Sequence, residues 1–488
     1  MRSFGFRLGG ENEGSPALNE SRLHPSRSLP VGFVDRLRQA VGDRLQLGEA
    51  VRLEHGRSET HFAHMAPDGV LFAESTDDVV AAVQLCAEFD VPVVPFGAGT
   101  SVEGNTLAVR GGISVDLSRM TRILCVNPED SDCTVEAGVR REQLNGYLRD
   151  QGLFFPVDPG ANATIGGMAS TRASGTNAVR YGTMRDAVLA LSVVTADGRV
   201  IRTSRRARKS SAGYDLTRLF VGSEGTLGII TQITLRLHPL PAAISAAICG
   251  FETIAGAVDT VVQSMQFGVP LARVEILDDR QVHAVNRWSR MDLPEVTTLF
   301  FEFHGSERHV AEQVETVREL AKGNGGGEFK WANLPEERSR LWKARHDAYY
   351  AAVNMRPGAI GWATDVCVPM SRLTQCIEET KTDLQASAVP ATILGHVGDG
   401  NFHVIFSIDP HSREELAEVK SLNARLVRRA LDMDGTCTGE HGIGLGKQEW
   451  LLEELGDAVD LMRSVKRALD PRGIMNPGKI FASDRPRR

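Results

Sequence analysis

Pro95-Phe96-Gly97-Ala98-Gly99-Thr100-Ser101 leaves the apolar run 91–96 as a glycine-rich turn. Gly97 and Gly99 let backbone N–H groups face an anion closely, which is what cradling a pyrophosphate requires. The turn does not open a helix, and Val102 stands where the third glycine of a nicotinamide-binding G-x-G-x-x-G would be. Working outward, DDVVAAVQLCAEFD after Thr76 has helical spacing, so the turn closes a helix–strand–loop unit. The following strands, in GGISVDL, CTVEAG, VLALSVVTADGRVI and TLGIITQITLRL, outnumber helices. The first half therefore reads as α+β rather than doubly wound. Two more turns rich in Gly, Ser and Thr, at 158–171 and 221–231, can hydrogen-bond phosphate, ribose and a flat ring. Each alone is an ordinary turn, but three in order point to one nucleotide-like ligand.

Pro239-Leu240-Pro241 marks a boundary. Beyond it, helical patterns at 258–267, 307–322, 335–353, 371–387 and 412–433 alternate with strands in LFFEFHG, WATDVCVP, ATILGHV and FHVIFSI, which predicts an α/β unit. GNGGG at 323–327 reads as a tight loop or hairpin tip, and 451–470 as a helix before MNPGK. The expected division is an irregular, flexible arm at 1–30, one domain at 31–240, a second at 241–450, and a closing segment at 451–488.

The 488 residues, 42% hydrophobic and 24% charged, suit a globular protein with more than one core. A net charge of -7 argues against a nucleic-acid partner. The basic run Arg205, Arg206, Arg208 and Lys209 reads as a solvated loop. No apolar stretch approaches the ~20 residues of a membrane span. Seven cysteines, none in a C-x-x-C pair, indicate neither a disulfide framework nor a thiolate zinc site. The first thirty residues lack an apolar h-region and carry Glu11, Glu13 and Glu20, which favours the cytoplasm over the mitochondrial matrix or inner-membrane surface.

In GHVGDGNFH, His396 and His403 flank the turn signal Gly398-Asp399-Gly400-Asn401, so a hairpin would bring their imidazoles together. Glu440-His441 lies in CTGEHGIG, where glycines permit close approach to a bound group. Two imidazoles and a carboxylate suit Zn, Mn or Fe in the +2 state. GIGLGK at 442–447 lacks the spacing and the Ser or Thr of a phosphate-binding P-loop.

PFGAGTS, then TIGGMAS with Gly175 and Arg180-Tyr181-Gly182, then GSEGTLGIIT resembles the FAD-binding domain of the vanillyl-alcohol oxidase type of flavoproteins. The resemblance implies that domain plus an α/β substrate (cap) domain with an antiparallel sheet. It implies FAD contacts from Pro95, Gly97, Ala98, Gly99, Thr100 and Ser101 at the pyrophosphate. Further contacts are implied from Pro159, Gly160, Thr164, Gly166, Gly167, Ser170, Gly175, Arg180, Tyr181 and Gly182, and from Glu224, Gly225, Gly228, Ile229 and Ile230. Thr100 and Ser101 stand where covalent members often have a flavin-bearing His, so FAD is expected to be non-covalent.

With LWKARHDAYY, TDVCVP and MNPGK, the chain is similar to FAD-linked, cytochrome-reducing D-lactate dehydrogenases, and more distantly to D-2-hydroxyglutarate dehydrogenase and the flavin subunit of glycolate oxidase. The likeness runs from about Ser58 to Ile480. It implies His396, His403 and Glu440 as ligands of one divalent metal, His441 as the base, Arg345 on the substrate carboxylate, and Asn476 and Lys479 in a tail returning to the flavin. The hydroxyl proton would go to His441 and the C2 hydride to flavin N5. The 2-hydroxyglutarate enzymes carry a Lys and an Asn where this chain has Ala363 and Ile405, so a dicarboxylate's second charge would be buried unpaired.

The expected reaction is oxidation of D-lactate or a related D-2-hydroxy monocarboxylate to the 2-oxo acid. Cytochrome c, a quinone or an electron-transfer flavoprotein would accept the electrons, and a homodimer is left open. The alternatives are a 2-hydroxyglutarate or glycolate dehydrogenase on the same fold, a flavin subunit of a larger complex, and a flavin-free metal-dependent hydrolase.

Overall fold

The computed structural model describes residues 29–332 and 334–482. The expected flexible arm falls almost entirely outside them. Leu45–Gln46, Gly69–Phe72, Ile113–Asp116 and Val93–Phe96 form a four-stranded sheet in that order, the last three mutually parallel. The helix Thr76–Phe89 makes the crossover into Val93–Phe96. Its start is set by a capping box, in which the Ser75 hydroxyl accepts from Asp78 N and the Asp78 carboxylate accepts from Ser75 N.

Five antiparallel strands follow in the order Ile123–Asn127, Asp132–Glu136, Gly228–Arg236, Val188–Thr195 and Val200–Arg202. One apolar cluster joins these two sheets, and Ile474 and Met475 from the far end of the chain complete it. The tail gets there by pairing: Asn476 N donates to the Val93 carbonyl, one strand length before the Gly97 turn.

The large sheet is antiparallel and ordered Gly326–Ala332, Ala243–Phe251, Thr297–Gly305, Leu271–Leu277, Ala391–Gly395, Asn401–Ile408 and Ile360–Ala363, with Val366–Cys367 also pairing with Asn401–Ile408. Strand period 2 explains its two cores. Leu299, Phe301 and Phe303 pack on one face with Ile254–Gln266, Glu307–Gly323, Met370–Gln385 and Arg413–Asp432, while Phe300 packs on the other with Asp279–Ser289 and Ala348–Val353. The α+β expectation, with an antiparallel second sheet, matches this architecture.

Three local readings need correction. The helix expected over 335–353 is two, Pro335–His346 and Ala348–Val353, meeting at Asp347. The one expected over 451–470 is Gln448–Leu455 and Ala458–Leu469, because Gly456 takes φ +52° and ends the first. For GNGGG only the hairpin-tip alternative falls, because the tight loop expected there is a helix-to-strand turn around Gly325, at φ +80°.

Candidate active site

A cleft of about 330 Å³ runs from the Pro95–Ser101 turn to the histidine cluster. It is lined by Pro95, Gly97, Ala98, Gly99, Thr100 and Ser101, by Pro159, Gly160, Thr164, Gly166, Gly167 and Ser170, and by Glu224, Gly225, Gly228, Ile229, Ile230 and Asn476. The turn must be glycine where it is. A Cβ on Gly97 would stand 2.4 Å from Thr164 Oγ1, and Gly99 has φ +70°. Ser101 Oγ, Asn105 Oδ1 and Thr106 Oγ1 are buried against this cleft without a hydrogen-bond partner among the described residues. Buried polar atoms are rarely left so, and these fit the phosphate, ribose and ring edges of FAD.

Gly175, Arg180, Tyr181 and Gly182 do not line the cleft. Gly175 abuts the Asp158 backbone, so any Cβ there would overlap it. Arg180 donates to the Pro270 and His304 carbonyls, and the Tyr181 hydroxyl lies 2.7 Å from His304 Nδ1. Those side chains brace the first unit against the large sheet.

At the other end, Ala391–Gly395 and Asn401–Ile408 form the expected hairpin, with Leu394 opposite His403. His396 Nδ1 lies 2.7 Å from Glu275 Oε1, and His403 Nδ1 lies 2.8 Å from the Thr364 carbonyl. With each Nδ1–H donating outward, both Nε2 atoms face inward, at 3.2 and 3.4 Å from Glu440 Oε1. The three donor atoms all lie within 4.8 Å of one another, so this group with its oriented histidines could hold a metal ion. Asp365, His403 and His441 also approach this closely, but the Thr364 carbonyl already occupies the His403 nitrogen facing Asp365. Burial opposes charge on His396, yet Glu275 and Glu440 overcome it and hold its pKa well above the usual range. The pocket is thus built for positive charge.

His441 stacks on His403 with centroids 5.2 Å apart, and its buried Nδ1 has no hydrogen-bond partner among the described residues. Burial first, then the neighbouring His403 and Lys447, lower its pKa to about 4 despite Asp365. It is neutral near pH 7 and able to accept a proton.

Several buried charges that hold this site escape a sequence reading. Glu275 gives Oε1 to His396 and Oε2 to Arg345, whose Nε and Nη2 lie 3.0 and 2.6 Å away. Its signal is a carboxylate inside the apolar strand Leu271–Leu277. Asp365 Oδ2 accepts from Glu440 N and His441 N, both at 3.0 Å, and from Thr438 Oγ1 at 2.7 Å. Lys447, between Asp365 and Glu103, offsets the charge. Glu224, expected only as a flavin contact, also accepts from Ile443 N, Gly444 N and Asn105 Nδ2, tying the loop that carries His441 to the first unit.

Glu275→Gln should weaken metal binding about 10–100-fold, because it disorders His396 and strands Arg345 together. Metal retention during chelator competition checks this.

Two family profiles match the chain, "FAD binding domain" over residues 67–204 and "FAD linked oxidases, C-terminal domain" over 240–480. The chain is 52% identical to the probable mitochondrial D-lactate dehydrogenase of Danio rerio, covering 92% of this chain and 91% of that protein. It is 46% identical to the mitochondrial D-lactate dehydrogenase [cytochrome] of Arabidopsis thaliana, covering 93% and 81%. The structure of an alkyldihydroxyacetonephosphate synthase shares the fold, with a TM-score of 0.74 at 20% identity over 95% of this chain and 88% of that one. The chain belongs to the FAD-linked oxidases of the vanillyl-alcohol oxidase fold, within the family of the cytochrome-type D-lactate dehydrogenases.

Proposed function

We propose that the protein oxidises D-lactate or a related D-2-hydroxy monocarboxylate to its 2-oxo acid, with one divalent metal in the His396–His403–Glu440 cluster and a non-covalent FAD in the cleft. The observation that carries this reading is the juxtaposition, on one continuous cleft, of the Gly97–Gly99 turn, the converging Nε2 and carboxylate atoms, and the neutral His441. When bound, FAD supplies a two-electron acceptor for the C2 hydride, and the cation supplies a Lewis acid that eases loss of the hydroxyl proton. His441 takes that proton. Arg345, clamped by Glu275 through Nε and Nη2, holds the substrate carboxylate and fixes C2. We assign the flavin to 31–240 with the returning tail, and the substrate and metal to 241–450.

Ala363 and Ile405 stand directly opposite each other on neighbouring strands, and both line the cleft. This favours a monocarboxylate over the dicarboxylate alternative, since neither side chain offers a charge or an amide. Ala363→Lys should raise the rate of flavin reduction by D-2-hydroxyglutarate relative to D-lactate about tenfold, the worth of one added ion-pair partner. Stopped-flow spectra of the two acids check it.

The electrons would pass to a one-electron carrier such as a cytochrome, the acceptor named for the Arabidopsis relative. Where the host cell has mitochondria, we adopt the relatives' mitochondrial address over the cytoplasm. No helix among the described residues is long and apolar enough to cross a membrane. The test of the reading is a panel of D- and L-2-hydroxy acids mixed anaerobically with the yellow holoenzyme. D-monocarboxylates should bleach it, and a colourless, metal-dependent hydrolase would refute it.

A further inference from the structure

GIGLGK at 442–447 is no phosphate loop, yet each of its three glycines lies against Glu103 or Glu224. A Cβ on Gly442 would stand 2.8 Å from Glu224 Oε1, one on Gly444 2.1 Å from the Glu103 carbonyl oxygen, and one on Gly446 2.1 Å from Glu103 Oε2. Glu224 lines the cleft, and Glu103 directly follows Val102, which also lines it. The bare glycine edges thus let the loop that follows Glu440 and His441 lie directly on the flavin-binding segments. Hydrogen bonds fix the register. Leu445 N donates to the Glu103 carbonyl at 2.8 Å, and Ile443 N and Gly444 N donate to the Glu224 carboxylate at 2.7 and 2.8 Å.

Asn105 carries this seam into the cleft, which it lines while only 5% exposed. Its Nδ2 donates to Glu224 Oε2 at 2.6 Å. The accepting carboxylate sets the orientation of the amide, so Oδ1 is the atom left over. That Oδ1 is buried with no hydrogen-bond partner among the described residues. Asn476 pins the same pair, its Nδ2 donating to the Asn105 and Glu224 carbonyls at 3.0 and 2.7 Å. A hydroxyl or N–H of FAD at Oδ1 would satisfy it. The same contact would hold the amide that holds Glu224, and Glu224 holds the loop two residues beyond His441.

We propose that Asn105 is a positioning residue that, through Glu224, registers the loop bearing Glu440 and His441 on the flavin segments, so that bound FAD and bound divalent metal each tighten the other. The inference rests on the flavin-and-metal reading of the site and adds to it a linkage, which is reciprocal. The metal orders Glu440 and the loop after it, the flavin orders Asn105 and the turn before it, and whichever binds second meets a seam already ordered.

The test is the FAD affinity of the full-length protein, read from the fluorescence of flavin released on diluting the holoenzyme, in saturating Zn or Mn and after chelation. The metal-free wild type should hold FAD about 5–150-fold more weakly, the usual span of coupling between two sites. In Asn105→Ala, FAD should bind more weakly in both conditions, and the ratio between them should fall toward one. A plain flavin contact or a merely structural residue would weaken binding alike with and without metal, leaving the ratio as it was. The wild-type comparison needs no variant, so it stands even if Asn105→Ala fails to fold. Equal FAD affinity with the metal bound and with it removed, or an undiminished ratio in Asn105→Ala, would overturn the proposal while leaving the dehydrogenase intact. A holoenzyme that takes up no divalent metal would remove the metal reading, and the linkage with it.

Discussion

With His441 as the proposed proton acceptor, His441→Asn should slow flavin reduction by D-lactate about 10²–10⁴-fold while leaving the apparent affinity for the acid nearly unchanged. This is the expected loss when the proton acceptor goes and the carboxylate clamp stays. Asparagine has no basic nitrogen, and Arg345 with Glu275 is untouched by the exchange. The pH dependence carries the sign. Burial, His403 and Lys447 depress the His441 pKa to about 4, so the imidazole is neutral from about pH 5 upward, and a cation beside it pushes the same way. Wild-type flavin reduction should therefore hold its rate on falling from pH 8 to pH 6. Stopped-flow rates across that range check both points. A loss in the variant that appeared only as weaker binding would place His441 outside the chemistry.

Glu440→Gln should have a comparably large effect for a different reason. Glu440 is the anionic member of the cluster, and its carboxylate faces the Nε2 atoms of both His396 and His403. An amide removes the charge that offsets a divalent cation, so metal affinity should fall by more than the ~100-fold upper range for disturbed supporting residues. Burial works against the Glu440 charge, but His396 and His403 hold its pKa well below the ordinary carboxylate range. Glu440 is accordingly ionised throughout the working pH range. Elemental analysis after desalting, with the flavin spectrum recorded alongside, separates metal loss from unfolding. Partial recovery of flavin reduction in excess Zn or Mn is expected. A variant that keeps both full metal content and full rate would dissociate Glu440 from the metal.

How much of this could be seen in the chain depends on how local each cause is. The helix Thr76–Phe89 and the hairpin carrying His396 and His403 were legible because their signals, apolar residues at helical spacing and a Gly-Asp-Gly-Asn turn between apolar strands, are local in the chain. The breaks at Asp347 and Gly456 were not, since helical spacing continues across each, and only tertiary packing and the φ of Gly456 decide where the axis changes. Glu275 shows the limit most clearly. It lies 121 residues before His396 and 70 before Arg345, so its pairing exists only once the sheet has formed. The same holds for Glu224, where the sequence suggests a flavin contact and the structure adds a second task 219 residues away at Ile443. Gly175, Arg180, Tyr181 and Gly182 lie close along the chain to residues that line the cleft, yet Arg180 and Tyr181 turn toward His304 of the large sheet, and Gly175 and Gly182 pack against Asp158 and Asp186.

The central claim is that one cleft unites a flavin, a metal and a base on a D-2-hydroxy acid. The measurement that tests it most directly is anaerobic titration of the purified holoenzyme with D-lactate, followed by the visible flavin spectrum before chelation, after it, and after divalent metal is restored. Bleaching by D-lactate but not L-lactate, suppression by the chelator, and recovery with metal are the expected results. Bleaching that is indifferent to chelation with the metal demonstrably gone, or no bleaching by any D-2-hydroxy acid, would contradict it.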